Sequence, residues 1–145
     1  MRIRPKQLGL SLVAVASLSV ATLFAVNSRD TMFVHFTHPV HVQGDVLAPG
    51  QYTIETMSGA EANNNVLEVY GKNNLHFKTT FTTVDAEKIG GADTTHVSLL
   101  KIGNNYYLDK IFIQGRVNGY QVLLPEDIRN AAQNAQSEDL TATLR

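Results

Sequence analysis

The chain has no cysteine and no tryptophan, and only four of its 145 residues are proline. Without thiols it can form no disulfide, cysteine-held zinc site, iron–sulfur cluster, thiol nucleophile or lipidated cysteine anchor. It also lacks an excess of either charge, with 12 Lys and Arg against 13 Asp and Glu and a formal net charge of −1. That balance provides no attraction for a phosphate backbone, so nucleic acid is not an expected partner. There is no internal repeat and no low-complexity tract.

One long hydrophobic run is present, at the N-terminus. Arg2, Arg4 and Lys6 form a basic start, and Leu8 to Val26 then carries no charge. A basic segment followed by an apolar one reads as an export signal peptide, a leader helix over residues 1–28 cut after Ala25 or Ser28. The alternative is an uncleaved anchor, because the uncharged run is just long enough to cross a bilayer. The membrane then enters only through residues 8–26. Either way the rest of the chain is extracytoplasmic, periplasmic or secreted. Without Arg2, Arg4 and Lys6, three of the 12 basic residues, nine remain against 13 acidic ones. What is left has the size of one domain with one core.

From Thr31 onward the pattern has period two. Met32, Val34 and Phe36 alternate with Phe33, His35 and Thr37, and Val40 and Val42 continue the even face. Such alternation predicts a half-buried strand. Pro39 has no N–H to donate and belongs at an edge or bulge. Gly44-Asp45 and Pro49-Gly50 are turn signals, and Tyr52 to Glu55 is a short strand. The Gly-x-Tyr spacing places the Tyr52 ring in the core, with its hydroxyl bonded to backbone near the Pro49-Gly50 turn. Thr56 to Asn65 is small and polar, a loop.

Val66 to Tyr70 is the next strand. Leu75, Phe77, Thr79 and Phe81 then alternate with polar residues and predict a long strand with its odd side inward. Asp85 to Asp93 reads as a loop around Gly90-Gly91. Val97 to Ile102 and Tyr106 to Gln114 flank Gly103-Asn104-Asn105 as a hairpin. Asn118-Gly119 predicts a second, two-residue hairpin turn. After Leu124 the period changes: Pro125, Glu126 and Asp127 suit a helix start, and Ile128, Ala131, Ala132 and Ala135 form a thin helical stripe. Residues 137–145 read as a frayed polar tail. The expected fold is mainly β: one domain over residues 29–136, an antiparallel sandwich or barrel of about eight strands with a short C-terminal helix.

Two stretches carry a resemblance. They are Pro39-Val40-x-Val42-x-Gly44-x-Val46-Leu47-x-Pro49-Gly50-x-Tyr52-x-Ile54 and Gly103-x-x-Tyr106-Tyr107-Leu108-x-Lys110-Ile111-Phe112, the latter followed by Gly115, Gly119-Tyr120 and Leu124-Pro125. Over roughly Met32 to Arg129 the chain resembles a group of exported β-rich proteins of soil bacteria, a family of unknown function. It departs from the group in having Ala48 before the proline, where the usual order is Pro then Ala, and Phe112 in place of Trp. The matched positions are turn and core residues. The resemblance therefore implies fold and export, and no activity or catalytic residue carries over from it.

The histidines are the first candidate site. On a strand His35 and His41 share a face but lie about 20 Å apart, beyond the reach of one ion, while His38 points the other way. A cross-strand site with His76 or His96 is the remaining metal arrangement; no metal and no cofactor is assigned. His96-Val97-Ser98 puts an imidazole and a hydroxyl on one strand face about 7 Å apart, too far for a nucleophile and its base. No G-x-S-x-G turn surrounds Ser58, Ser98 or Ser137. Asp85, Glu87 and Asp93 read as solvated loop charge, without the alternation of a calcium loop.

Tyr70, Tyr106, Tyr107 and Tyr120 combine an apolar body with a polar tip and are the candidate ligand platform, for a sugar or a peptide; ordinary strand packing is the competing explanation. Pro49, Gly50, Tyr52, Asn118 and Gly119 are assigned to turns. The reading that follows is an exported, non-enzymatic envelope or secreted domain that binds a protein or glycan partner. The alternatives are a carbohydrate-binding module using surface tyrosines and a hydrolase on a β scaffold.

Overall fold

A computed structural model describes residues 29–57, 65–71 and 76–145. The leader reading, the middle of the polar loop after Thr56, and Leu75 lie outside the described residues. The strands are β1 (Thr31–Phe36), β2 (Val40–Val42), β3 (Asp45–Leu47), β4 (Gly50–Thr56), β5 (Val66–Gly71), β6 (Phe77–Glu87), β7 (His96–Ile102), β8 (Asn105–Phe112), β9 (Asn118–Val122), β10 (Gln136–Thr141) and β11 (Thr143–Leu144). A helix α1 (Glu126–Ala131) and a 3-10 turn over Ala132–Asn134 precede β10. The fold is mainly β with one short helical segment, as the alternation indicates, but with eleven described strands in place of about eight.

The strands form one mixed sheet in the order β10-β7-β8-β9-β6-β5-β4-β1-β11, with β2 and β3 attached through β8. The pairing is antiparallel except between β2 and β8, so the sheet is not purely antiparallel. The barrel alternative is corrected: the sheet is not closed, since its end strands β10 and β11 do not pair with each other. β6 belongs to both halves. Its residues up to Thr82 pair with β5, and from Thr83 onward they pair with β9. Both halves contribute to one core, which includes Met32, Phe36, Ile54, Leu67, Phe81, Leu99, Leu108 and Ile111, all nearly inaccessible to solvent. Burying each such side chain is worth about 1.5–3 kcal/mol, which is why the period-two pattern specifies the register so strongly.

Four local expectations are corrected. Asn118-Gly119 is not a turn: both residues lie in β9, opposite Glu87 and Ala86 of β6. The reversal before β9 occurs earlier, where Arg116 N–H donates to the Ile113 carbonyl at 3.0 Å and Gly115 takes φ 77°. The first hairpin turn is shifted by one position. Gln43 and Gly44, at φ 43° and 101°, join β2 to β3, and a two-residue turn needs positive φ at both places.

Phe77 is the third correction. It is 57% exposed and not inward, because a bulge shifts the β5–β6 register between Val69 and Tyr70. Val69 faces Thr79 while Tyr70 faces Phe77, so Lys78 is the extra residue and Phe77 changes side. The fourth is the expected frayed tail, which forms β10 and β11. The chain runs along β7, passes buried Ala142, whose N–H donates to the Thr95 carbonyl at 2.9 Å, and ends beside β1.

Candidate ligand-binding face

Directly opposed residues in a sheet share a face. Phe33 of β1 is opposite Thr143 of β11 on one side and Thr53 of β4 on the other. Thr53 is opposite Tyr70 of β5, and Tyr70 is opposite Phe77 of β6. These residues form one row across the strands, on the outer face away from Met32, Val34 and Ile54. The rings of Tyr70 and Phe77 meet edge to face, 5.9 Å between centroids. Thr53 is only 2% exposed although it points outward, so the middle of the row is shielded from solvent.

At one end of this row lies a groove of about 410 Å³, whose lining includes Phe33, His35, Gln51, Thr53, Thr141 and Thr143. No acidic residue, lysine or arginine lines it. It exists because the C-terminal strands return alongside β1. The next row carries Glu55 directly opposite Glu68, with Thr31 and Thr80 at its flanks. The Tyr70 hydroxyl donates to Glu68 Oε2 at 3.1 Å. Desolvation, then the Glu68 hydrogen bond and charge, holds the Tyr70 phenol above its ordinary pKa.

The four expected platform tyrosines are not brought together. Tyr106 and Tyr107 are successive residues of β8 and face opposite sides, as strand geometry requires. Tyr106 packs against the core and stacks with His38, centroids 4.6 Å apart, under the Lys101 ammonium. Tyr107 stacks with His41 at 4.8 Å. Tyr120 packs against the core and donates to Asp30 Oδ2 at 2.7 Å. Only Tyr70 lies on the outer row. The other aromatic positions there are Phe33 and Phe77. Phe33 was legible as an odd-face residue of the first strand, whereas the bulge that exposes Phe77 leaves no mark in the hydropathy pattern.

The turn residues are placed as follows. Pro49 precedes β4 and Gly50 begins it. Tyr52 is 8% exposed, tilts against Phe36, and donates its hydroxyl to the Ala48 carbonyl at 2.8 Å, the contact its spacing from the turn indicated.

The histidines do not converge. Among the described residues no group of three or more His, Asp or Glu is arranged to hold a metal ion. His96 Nδ1 contacts the Thr94 carbonyl at 2.9 Å, so that nitrogen carries the proton. Its Nε2 accepts from Lys88 Nζ at 3.5 Å. Ser98 Oγ donates to Asp139 Oδ1 at 2.5 Å and not to His96. Serine, histidine and carboxylate therefore lie close in the fold without the relay in which the imidazole bridges the other two. The arrangement is a β scaffold without an assembled catalytic group among the described residues. Asp85 and Glu87 lie on β6, and Asp93 follows the Gly90-Gly91 turn.

No helix among the described residues is long and apolar enough to cross a membrane. No family model matches the chain, and no curated protein and no solved structure matches it either.

Proposed function

We propose that the chain is an exported, non-enzymatic binding protein whose ligand seat is the outer face of β11, β1, β4 and β5. One observation carries this reading: the uncharged groove of about 410 Å³ beside Phe33, a size that suits a small ligand or one unit of a polymer. It is built on paired strands and not on loops, so its shape is set before a ligand arrives. The basic start and the uncharged run Leu8–Val26 support export, and with it a periplasmic or secreted place of action. Kinship with the exported β-rich group of soil bacteria belongs to the same proposal and rests on the turn and core motifs alone.

The test is a photo-crosslinking side chain at Gln51, exposed at the groove, compared with the same group at Lys101, exposed on the other half of the sheet. In cells producing the full chain, an adduct at position 51 and none at position 101 is expected. No adduct at 51, or equal labelling at both, overturns the reading.

A further inference from the structure

We infer that the outer face binds a linear, neutral, β-linked glycan laid across the strands; this rests on the binding role assigned to the same groove. The row Phe33–Thr53–Tyr70–Phe77 crosses four adjacent strands. Neighbouring strands are about 4.8 Å apart, so Phe33 and Tyr70 are separated by roughly 10 Å and Phe77 lies about one strand further on. An extended β-linked pyranose chain advances by close to one strand spacing per ring. Laid along the row, it brings one sugar over Phe33, the next but one over Tyr70, and its neighbour over Phe77.

The chemistry at each position suits a polyol. Aromatic rings cover the apolar C–H faces of pyranoses, and a Tyr also offers a polar tip. Between and beside them stand groups that hydrogen-bond to hydroxyls: Thr141, Thr143, Gln51 and His35 at the groove, and, as acceptors, the Glu55 and Glu68 carboxylates in the next row. Charge points to a neutral ligand. The groove is lined by no acidic residue, lysine or arginine, and the charges that act on Tyr70 in the row are Glu68, Glu55 and Arg29. A polyanion would meet the two carboxylates beside the row, and the groove itself offers a polycation no carboxylate. Position points to a polymer: the groove lining reaches Thr53, and the partner aromatics Tyr70 and Phe77 lie beyond it along the row.

Cellohexaose and chitohexaose are the neutral probes and polygalacturonate the anionic one, titrated calorimetrically into protein produced from the full sequence. At least one neutral hexasaccharide is expected to bind with sub-millimolar affinity. Tyr70→Ala and Phe77→Ala are expected to weaken it tenfold or more. Phe77 is exposed and Tyr70 half-buried, and an unchanged thermal midpoint shows that the fold is kept. Phe33→Ala is expected to do the same, and Tyr107→Ala, on the other half of the sheet, to leave affinity unchanged. No heat with either neutral probe, tighter binding of polygalacturonate, or equal loss in Tyr107→Ala overturns the glycan assignment. A protein adduct trapped at Gln51 alongside failed titrations overturns it while leaving the groove as a binding seat. No adduct and no titration removes both.

Discussion

The hydroxyl of Tyr120 donates to the Asp30 carboxylate at 2.7 Å, and the two residues lie 90 positions apart in the chain. The same oxygen receives Arg116 Nη1 at 2.7 Å. Asp30 is buried just ahead of β1, and its N–H donates to Thr56 Oγ1 at 3.2 Å. Asp30 therefore ties the start of the domain to β4 through its backbone, and to β9 and the reversal before it through its carboxylate.

Burial first, then the hydrogen bond and charge of Asp30, raises the Tyr120 phenol well above its ordinary value. The unfolded phenol ionises near pH 10, so the folded state holds this proton when the unfolded one has lost it. The contribution is complete below about pH 10 and is lost as pH rises beyond it. Tyr120→Phe should lower stability at pH 7 by about 2 kcal/mol, the worth of a hydrogen bond to a charged group. It should also make the decline in stability above pH 10 shallower. Denaturant unfolding at pH 7 and over pH 9–11 checks both. A slope unchanged by the substitution means that other groups govern the alkaline limb.

Gly119→Ala should cost about 2 kcal/mol through crowding, although the residue lies in a strand and not in a turn. A Cβ there meets the Ile111 carbonyl oxygen and comes within 2.7 Å of Phe112 Cδ1. Backbone and a packed ring cannot both retreat. Phe112 also packs at a tilt against His96 and sits below the Lys88 ammonium, so its displacement should spread into the β6–β7 connection. A thermal midpoint equal to wild type would show that β8 and β9 have slack at this point.

Gly119 also shows how far sequence patterns reach. Asn-Gly signals a hairpin because both positions tolerate positive φ, yet here close packing against β8 gives the glycine its place. Core positions such as Met32, Val34, Phe36, Phe81 and Leu108 were legible because burial acts on every second residue. β10 was not legible: Gln136, Ser137, Glu138 and Asp139 have little strand preference, and their order comes from pairing with β7. The candidate face was half legible. Phe33 and His35 lie on the outward alternation of the first strand, but Thr141 and Thr143 reach the groove only because the tail turns back beside β1. Phe77 joins the row through a bulge, which is a register event and not a property of any one residue.

Asp109→Asn should stabilise the protein at pH 7. Asp109 is 6% exposed, next to the register shift where Ser98 faces Lys110 and Leu99 faces Leu108. Burial raises its pKa, and the Lys110 ammonium 3.7 Å away only partly offsets this. A raised carboxyl favours the folded state below the unfolded value near 3.9, and that advantage disappears as pH rises through the folded value. At neutral pH the buried charge is a cost, and the amide removes it. The gain should shrink as pH falls toward 3, where the carboxyl is protonated in both states. A destabilised Asp109→Asn at pH 7 would show that the charge is held by more than Lys110.

Export should show in the mass of the protein. If the proposed export holds, the form recovered outside the cytoplasm is expected to lack the first 25 or 28 residues, since Ala25 and Ser28 are the candidate cut positions after the basic start and uncharged run. Intact-mass measurement of the periplasmic and medium fractions distinguishes the two cuts. Full-length chain found in the inner membrane would establish the run as an anchor.

Ser98 provides the test of whether the domain acts without catalysis. A nucleophilic serine needs an imidazole to take its proton, and here the hydroxyl is committed to Asp139, directly opposite it on β10. The nearby His96 faces the Thr94 carbonyl and Lys88. The Ser98–Asp139 bond has a structural use, because it fastens a strand of weak intrinsic preference to the edge of β7. Ser98→Ala should therefore cost about 1 kcal/mol, the net worth of one hydrogen bond, and show as faster hydrogen exchange across Gln136–Thr141. Wild-type protein should return no turnover in esterase, peptidase and glycosidase screens. Hydrolysis abolished by Ser98→Ala or His96→Ala, with exchange across β10 unchanged, would make this cluster an active site and the hydrolase reading correct.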